Sequence, residues 1–128
     1  SGHPVGLPHG GQRYLVTDVY GKEQKFFQGL QEGESPLRLI DTRLKQEVHL
    51  LKVNVNPNHS IWKKKHPHTK FPFEGVKEKG PWRCDMHPAF DSSYKWVAIN
   101  ARPDGGFRQV MIAYLGDHPG RFFAQDDD

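Results

Sequence analysis

The sequence lacks several features that would place it in a common protein class. It has one cysteine, Cys84, so no internal disulfide can form. No apolar run approaches the roughly 20 residues that a membrane-spanning helix needs, and the N-terminus shows no signal-peptide pattern. A Gly-rich phosphate loop, a Gly-x-Ser-x-Gly elbow and zinc-finger spacing are also absent. We therefore expect no membrane partner, while the compartment stays open. Cys84 is expected to be a small, half-buried structural residue. The alternative, a nucleophile, would require a base such as His87 in contact with it.

The composition favours short elements joined by turns. Among 128 residues, 35% are apolar, while 13 Gly and 10 Pro are present. This mixture predicts strands and turns over long helices. The net charge of +3 is a mild bias; it does not by itself indicate a nucleic acid partner, and it would suit a polyanionic sugar equally well.

Segments rich in β-branched and aromatic residues predict an all-β chain. The predicted strands are 13–20, 36–42, 46–55, 95–101 and 107–115. The last two form a hairpin, because Pro-Asp-Gly-Gly at 103–106 supplies a tight turn. The predicted core side chains are those of Tyr14, Val16, Leu37, Leu39, Val53, Trp96, Ala98, Val110, Ile112 and Tyr114.

The stretch 56–81 differs from its surroundings in charge. Residues 58–79 hold six Lys and two Glu, and no clear periodicity is present. We interpret the stretch as a long loop. The run Lys63, Lys64 and Lys65 beside Trp62 could grip an anion while aromatic rings stack on a sugar or a base; the alternative is a solvated, charged loop. Because no nucleic-acid-binding motif occurs, no nucleic acid partner is expected.

Two parts of the chain follow one pattern. The dipeptide His-Pro occurs at 3–4 and again at 87–88. In each case a short turn, an apolar strand, a loop and a second apolar strand follow. The first of these strands ends in Asp18 in one unit and in Asn100 in the other. The sequence therefore predicts two diverged copies of one antiparallel unit.

The second copy carries a resemblance to a known family. Lys-Trp-Val-Ala at 95–98, Asp-Gly at 104–105 and Arg-Gln-Val-x-Ile-Ala at 108–113 resemble the WD40-like repeat of TolB-type β-propellers. Trp-Arg-Cys-Asp-Met-His-Pro at 82–88, followed by that hairpin, resembles the last blades of oligogalacturonate-lyase-like proteins. The resemblance implies two antiparallel blade-like sheets, consecutive in a propeller. The expected divisions are a first unit at 1–55, the loop at 56–81, a second unit at 82–119 and an acidic tail at 120–128.

Two blades do not close a propeller. We therefore expect the exposed sheet edges to pair with the rest of a propeller, with a second copy of the chain or with a partner. The alternative is that the two units pack against each other as a small sandwich.

The His-Pro segments carry the candidate metal ligands. Asp85 and His87 are two residues apart, so in an extended segment both side chains lie on one face. His3 occupies the equivalent place in the first unit. The resemblance implies a shared Mn²⁺, or another divalent metal, because oligogalacturonate lyases use a His-rich manganese site. The alternative is structural: each His-Pro shapes the entry turn of its unit.

For a lyase of this family the reaction is β-elimination on uronate-containing oligosaccharides. The uronate carboxylate must be neutralised by a metal or an arginine, and a base must take the adjacent proton. Arg83, Arg102 and Arg108 are the candidate clamps for that carboxylate. The expected partner is an acidic oligosaccharide. The alternative function is a non-catalytic propeller module that binds proteins or glycans.

Overall fold

The computed structural model describes residues 2–8, 11–20, 23, 27–76 and 84–123, and the strands of this part form two antiparallel sheets. The first sheet contains, in spatial order, β1 (Val5–Gly6), β2 (Tyr14–Thr17), β3 (Glu34–Asp41) and β4 (Gln46–Asn54). The second contains β5 (Ala89–Phe90), β6 (Trp96–Ala101) and β7 (Gln109–Tyr114). The prediction of two antiparallel sheets is confirmed. No helix of the described part is long and apolar enough to cross a membrane.

The hairpin of β3 and β4 is closed by a charged turn. The Asp41 carboxylate accepts hydrogen bonds from the backbone N–H groups of Arg43 and Leu44. Arg13, just before β2, donates two further bonds to the same carboxylate, at 2.8 and 2.6 Å. These bonds, the Arg13 bonds first, hold the pKa of Asp41 at about 2. The turn is thus tied to the neighbouring strand by an ionised carboxylate.

The two His-Pro segments enter their sheets in the same register. Val5, two residues after His3, pairs with Val16 in β2. Ala89, two residues after His87, pairs with Ala98 in β6. Each His-Pro segment therefore leads into a two-residue strand at an equivalent position.

The main core lies between the two sheets. From the first sheet, Val16, Leu37 and Leu39 are buried, as predicted, and Tyr14 and Val53 are partly buried against them. From the second sheet the buried members are Val97 and Ile99. The same cluster also contains Leu7, Val55, Cys84, Met86, Leu115 and Phe123. Because both sheets supply this cluster, burial of apolar surface holds the two units together.

The predicted orientation of the second sheet is wrong. Trp96 is 46% exposed, and Val110, Ile112 and Tyr114 are 67%, 69% and 56% exposed. The side chains that face the core are those of the alternate positions, Val97, Ile99 and Ala101. Both faces of this sheet are apolar, so a period of two could not tell which one is inside.

The stretch 56–81 is not wholly a loop, because it contains the helix α1 (His59–Lys65). The Asn58 side chain caps its first turn by accepting a bond from the Ile61 N–H. The Trp62 ring anchors the helix: it packs where a Cβ on Gly106 would lie 2.5 Å from it. The absence of a side chain at Gly106 therefore allows the helix to dock on the β6–β7 turn.

A polar link joins the end of β4 to the same turn. The Arg102 N–H donates to the Asn54 carbonyl at 2.7 Å, and the Asn54 side chain donates back to the Arg102 carbonyl at 2.9 Å. Asn54 and Arg102 are both buried. The two sheets thus share hydrogen bonds as well as apolar contacts.

The predicted acidic tail at 120–128 is partly structured. Pro119–Phe122 forms a 3-10 helix, and the Phe123 side chain is buried in the core with its ring stacked beside Tyr14. The acidic residues 126–128 lie outside the described residues.

Candidate functional site

The three predicted metal ligands lie together. His3, Asp85 and His87 each offer one ligand atom, and these atoms all lie within 4.8 Å of one another. The convergence follows from the register of the two sheets, since each His-Pro segment enters its sheet at the equivalent point. Residues more than 80 positions apart in sequence are thereby brought to one place.

A buried carboxylate behind this cluster holds both histidine segments. Asp18, immediately after β2, is fully buried. Its oxygens accept from the His3 backbone N–H at 2.6 Å and from the His87 backbone N–H at 2.9 Å. The His3 ring nitrogen Nδ1 lies 2.9 Å from the same carboxylate. One side chain therefore positions ligands from both sheets.

The contact with Asp18 determines which ring nitrogen of His3 is available to a metal ion. A carboxylate that already accepts from two backbone N–H groups acts as an acceptor toward Nδ1 as well, so Nδ1 carries the proton. In the neutral ring the lone pair then lies on the other nitrogen, Nε2. Carboxylate–histidine pairs behind metal sites fix the imidazole in this way.

His87 has a backbone conformation that costs free energy. Its φ angle is +44°, in the left-handed region that side chains other than glycine seldom occupy. The conformation directs the His87 N–H to Asp18 and sets its ring 3.6 Å from the His3 ring, centroid to centroid. Strain of this kind is concentrated at functional sites, where the surrounding structure enforces it.

The donor set suits a borderline divalent cation. Two imidazoles and one carboxylate are ligands that Zn²⁺, Fe²⁺ and Mn²⁺ accept, at bond lengths of about 2.0–2.2 Å. The nearest oxygen of Asp85 lies 3.9 Å from Nε2 of His87. An ion bound by all three residues would draw these atoms closer together through rotation of the side chains. Since the His87 side chain is more than half exposed, one side of the site is open to water or a ligand.

The three candidate arginines differ in position. Arg83 lies outside the described residues. Arg102 is buried, with its guanidinium donating to the Gly106 carbonyl and lying over the Phe73 ring. It supports the β6–β7 turn, away from the solvent from which an oligosaccharide would arrive. Arg108 is exposed, and its role as a clamp stays a prediction.

The residues of the predicted ligand-binding run lie in the helix α1, where one is buried and three are exposed. Trp62 is only 3% exposed, and its indole N–H donates to the Thr69 carbonyl. Its ring faces are covered by the protein, so it is not free to stack on a sugar. Lys63, Lys64 and Lys65 are exposed in the last turn of the helix, where they complement the helix dipole. Anion binding by these lysines stays a prediction.

Cys84 is a core residue. Its thiol is buried, and desolvation, as the largest cause, raises the pKa of the group. A buried thiol with a raised pKa is a poor nucleophile. The structure thus favours the structural role considered for Cys84.

Asp18 was not among the predicted site residues. The available signal was its place in the repeat, at the end of the strand that follows His-Pro. The equivalent residue of the second unit, Asn100, also bonds to its own His-Pro segment. Its side-chain amide donates to the Asp85 carbonyl at 3.3 Å, and its backbone N–H donates to the Met86 carbonyl at 3.0 Å.

Comparisons of the chain with family models, curated proteins and solved structures find no match.

Proposed function

We propose that His3, Asp85 and His87 bind a divalent metal, and that the chain is part of a β-propeller lyase that acts on uronate-containing oligosaccharides. The observation that carries the proposal is the convergence of three potential ligands on one point, with a buried carboxylate behind them. A purely structural role for the His-Pro turns would not require the third potential ligand, Asp85, to lie beside both histidines.

The chemistry proposed for the site is β-elimination. When bound, a divalent ion neutralises the uronate carboxylate and so acidifies the adjacent C–H bond. Asp18 keeps Nε2 of His3 available, and the exposed side of His87 leaves room for the sugar. A base then takes the proton, and the glycosidic oxygen leaves with the electrons of its bond to the neighbouring carbon. A double bond forms between the carbon that lost the proton and the carbon that carried the oxygen.

The resemblance of residues 82–115 to oligogalacturonate-lyase-like blades supplies the substrate class. The equivalent register of the two His-Pro segments supports the interpretation of the two sheets as repeated blades. A uronate oligosaccharide also matches the mild positive charge of the chain.

Metal titration tests the site. The chain is freed of metal with a chelator and titrated with Mn²⁺ and Zn²⁺ in a calorimeter, beside the variants His87→Ala and His68→Ala. His68 is an exposed histidine outside the cluster, so His68→Ala is the matched control. We expect one ion per chain, lost in His87→Ala and retained in His68→Ala. Equal binding by all three proteins, or none, would refute the metal site.

The reaction is tested separately. The metal-loaded propeller that contains the chain is incubated with oligogalacturonides, and the unsaturated product is followed by its ultraviolet absorbance. We expect product formation that a chelator abolishes. Metal binding without product would reject the lyase and favour the non-catalytic module that binds glycans or proteins.

A further inference from the structure

The helix α1 and the segment after it carry a concentration of positive charge. Residues 59–73 contain four Lys and no Asp or Glu. Lys63, Lys64 and Lys65 are consecutive and exposed. Because successive residues of an α-helix are turned by about 100°, these lysines extend from the sides of the helix that Trp62 does not occupy. The helix therefore presents positive charge on every side except the one that is docked on the protein.

The charge of these lysines is not neutralised within the described part of the chain. Elsewhere, Lys95 pairs with Asp117 at 2.9 Å and Lys52 donates to the Gly29 carbonyl. No carboxylate among the described residues forms an ion pair with the lysines of α1. The C-terminal end of a helix carries about half a negative charge, which offsets only a fraction of three positive ones. The lysines thus keep charge for an anionic ligand.

An exposed aromatic ring adjoins the helix. Phe107 is 58% exposed, and its ring centroid lies 5.6 Å from that of Trp62. The Asp104 carboxylate, in the turn before Phe107, is directed inward, since it accepts the Gly106 N–H at 2.8 Å and its side chain is only 14% exposed. The exposed groups therefore combine several cations with one aromatic ring. We call Lys63, Lys64, Lys65 and Phe107 the basic surface.

The basic surface and the metal cluster lie at the same end of the second sheet. Asn58, which caps α1, donates its backbone N–H to the Gly105 carbonyl at 2.8 Å. Near the end of β6, the Asn100 side chain donates to the Asp85 carbonyl. Both places thus border the last residues of β6 and the turn after it. In the propeller proposed above, neighbouring blades cover the faces of a sheet, whereas the strand ends and their connections stay open to a ligand.

We propose that the basic surface is a second binding site for the acidic oligosaccharide, and that it holds uronate units beyond the one at the metal cluster. The lysine ammonium groups pair with the uronate carboxylates, and the exposed ring of Phe107 packs against a sugar ring. The identity of the ligand rests on the proposed function. A single-stranded nucleic acid fits less well, because it needs a row of exposed rings for successive bases. Of the described Phe and Trp rings around α1, only that of Phe107 is more than half exposed.

Fluorescence anisotropy with an end-labelled, long oligogalacturonide tests the basic surface. The assay is run with a chelator, so that it reports binding without metal. The variants are Lys63→Gln/Lys64→Gln and, as the matched control, Arg43→Gln/Lys45→Gln. Arg43 and Lys45 are exposed in the β3–β4 turn, at the opposite end of the first sheet from α1, so both variants lose two positive charges. We expect the wild type and the control to bind equally, and Lys63→Gln/Lys64→Gln to bind about threefold or more weakly at low salt, a gap that narrows as salt screens the charges.

A charge-preserving variant, Lys63→Arg/Lys64→Arg, separates loss of charge from damage to the helix, and it should bind as the wild type does. No binding by the wild type, equal weakening in the control, or weak binding by the arginine variant would overturn the proposal. Single-stranded DNA of similar charge that competes as well as unlabelled oligogalacturonide would overturn the assignment to a sugar. Because the assay contains no metal, its outcome is separate from that of the metal titration and of the lyase assay, which test the proposed function.

Discussion

Replacing Asp18 by Asn is the sharpest test of how the site is built. The substitution keeps the shape of the side chain but turns one acceptor oxygen into a donor. In the wild type both oxygens face N–H donors: one takes the His3 backbone N–H and the other the His87 backbone N–H. Whichever way the amide turns, one partly buried donor loses its acceptor, at a cost of up to about 1–3 kcal/mol in the free energy of unfolding.

The same change weakens the hold on the metal ligand. An amide can donate to Nδ1 of His3, which moves the ring proton to Nε2 and removes the lone pair that the site needs. Loss of such an orienting partner typically lowers metal affinity by about 10–100-fold. We therefore expect Asp18→Asn to bind Mn²⁺ or Zn²⁺ more weakly by that factor in calorimetry.

Asp91→Asn is the matched control. Asp91 accepts bonds from the Ser93 hydroxyl and the Trp96 N–H in an exposed turn, so the same chemical change there should leave metal affinity unaltered. An Asp18→Asn protein that folds and binds metal with an affinity within about twofold of the wild type would refute the orienting role. Loss of a residue that orients a metal ligand typically has a larger effect.

Two further predictions concern stability. The pKa of Asp41 is lowered to about 2, and the Arg13 bonds are the largest cause. These bonds stabilise the fold above the unfolded pKa near 4, and the gain is lost as the pH falls toward 2. Arg13→Gln should therefore lower the urea midpoint at pH 7 but match the wild type near pH 2, and an equal deficit at both pH values would contradict this. Gly106→Ala should lower the free energy of unfolding by about 1–3 kcal/mol, because the added Cβ would meet the buried Trp62 ring at 2.5 Å. Gly6→Ala is the control, since the nearest atom to its Cβ would be 3.7 Å away. Thermal melting of both variants measures the difference.

The sequence predicted the strands better than their orientation. β-branched clusters and turn residues located all five longer strands, because these signals are local. The orientation of β6 and β7 depends on what each face meets. Trp96 and Ala98 on one face are as apolar as Val97 and Ile99 on the other, so only tertiary packing decides. The helix α1 was missed because its two turns depend on the Asn58 cap and on the contact of Trp62 with a glycine, neither of which is periodic.

The candidate site was predictable where it follows the repeat. His3 and His87 occupy equivalent positions in two units, and Asp85 shares a face with His87, so their meeting needed only the sheets to face each other. Asp18 escaped prediction because it acts from inside the protein, on backbone groups of both units. Its place at the end of the strand after His-Pro marked it as part of the repeat, but this position does not indicate bonds to two distant backbone segments.

The link between Asn54 and Arg102 bears on whether the two units of the repeat can be separated. The last strand of the first sheet completes the hydrogen bonding of a turn in the second. A cut between the units would leave buried polar groups on both sides without these partners, at a cost in free energy to each. The long connection between the sheets is therefore not expected to be a place where the chain can be divided into two parts that fold independently.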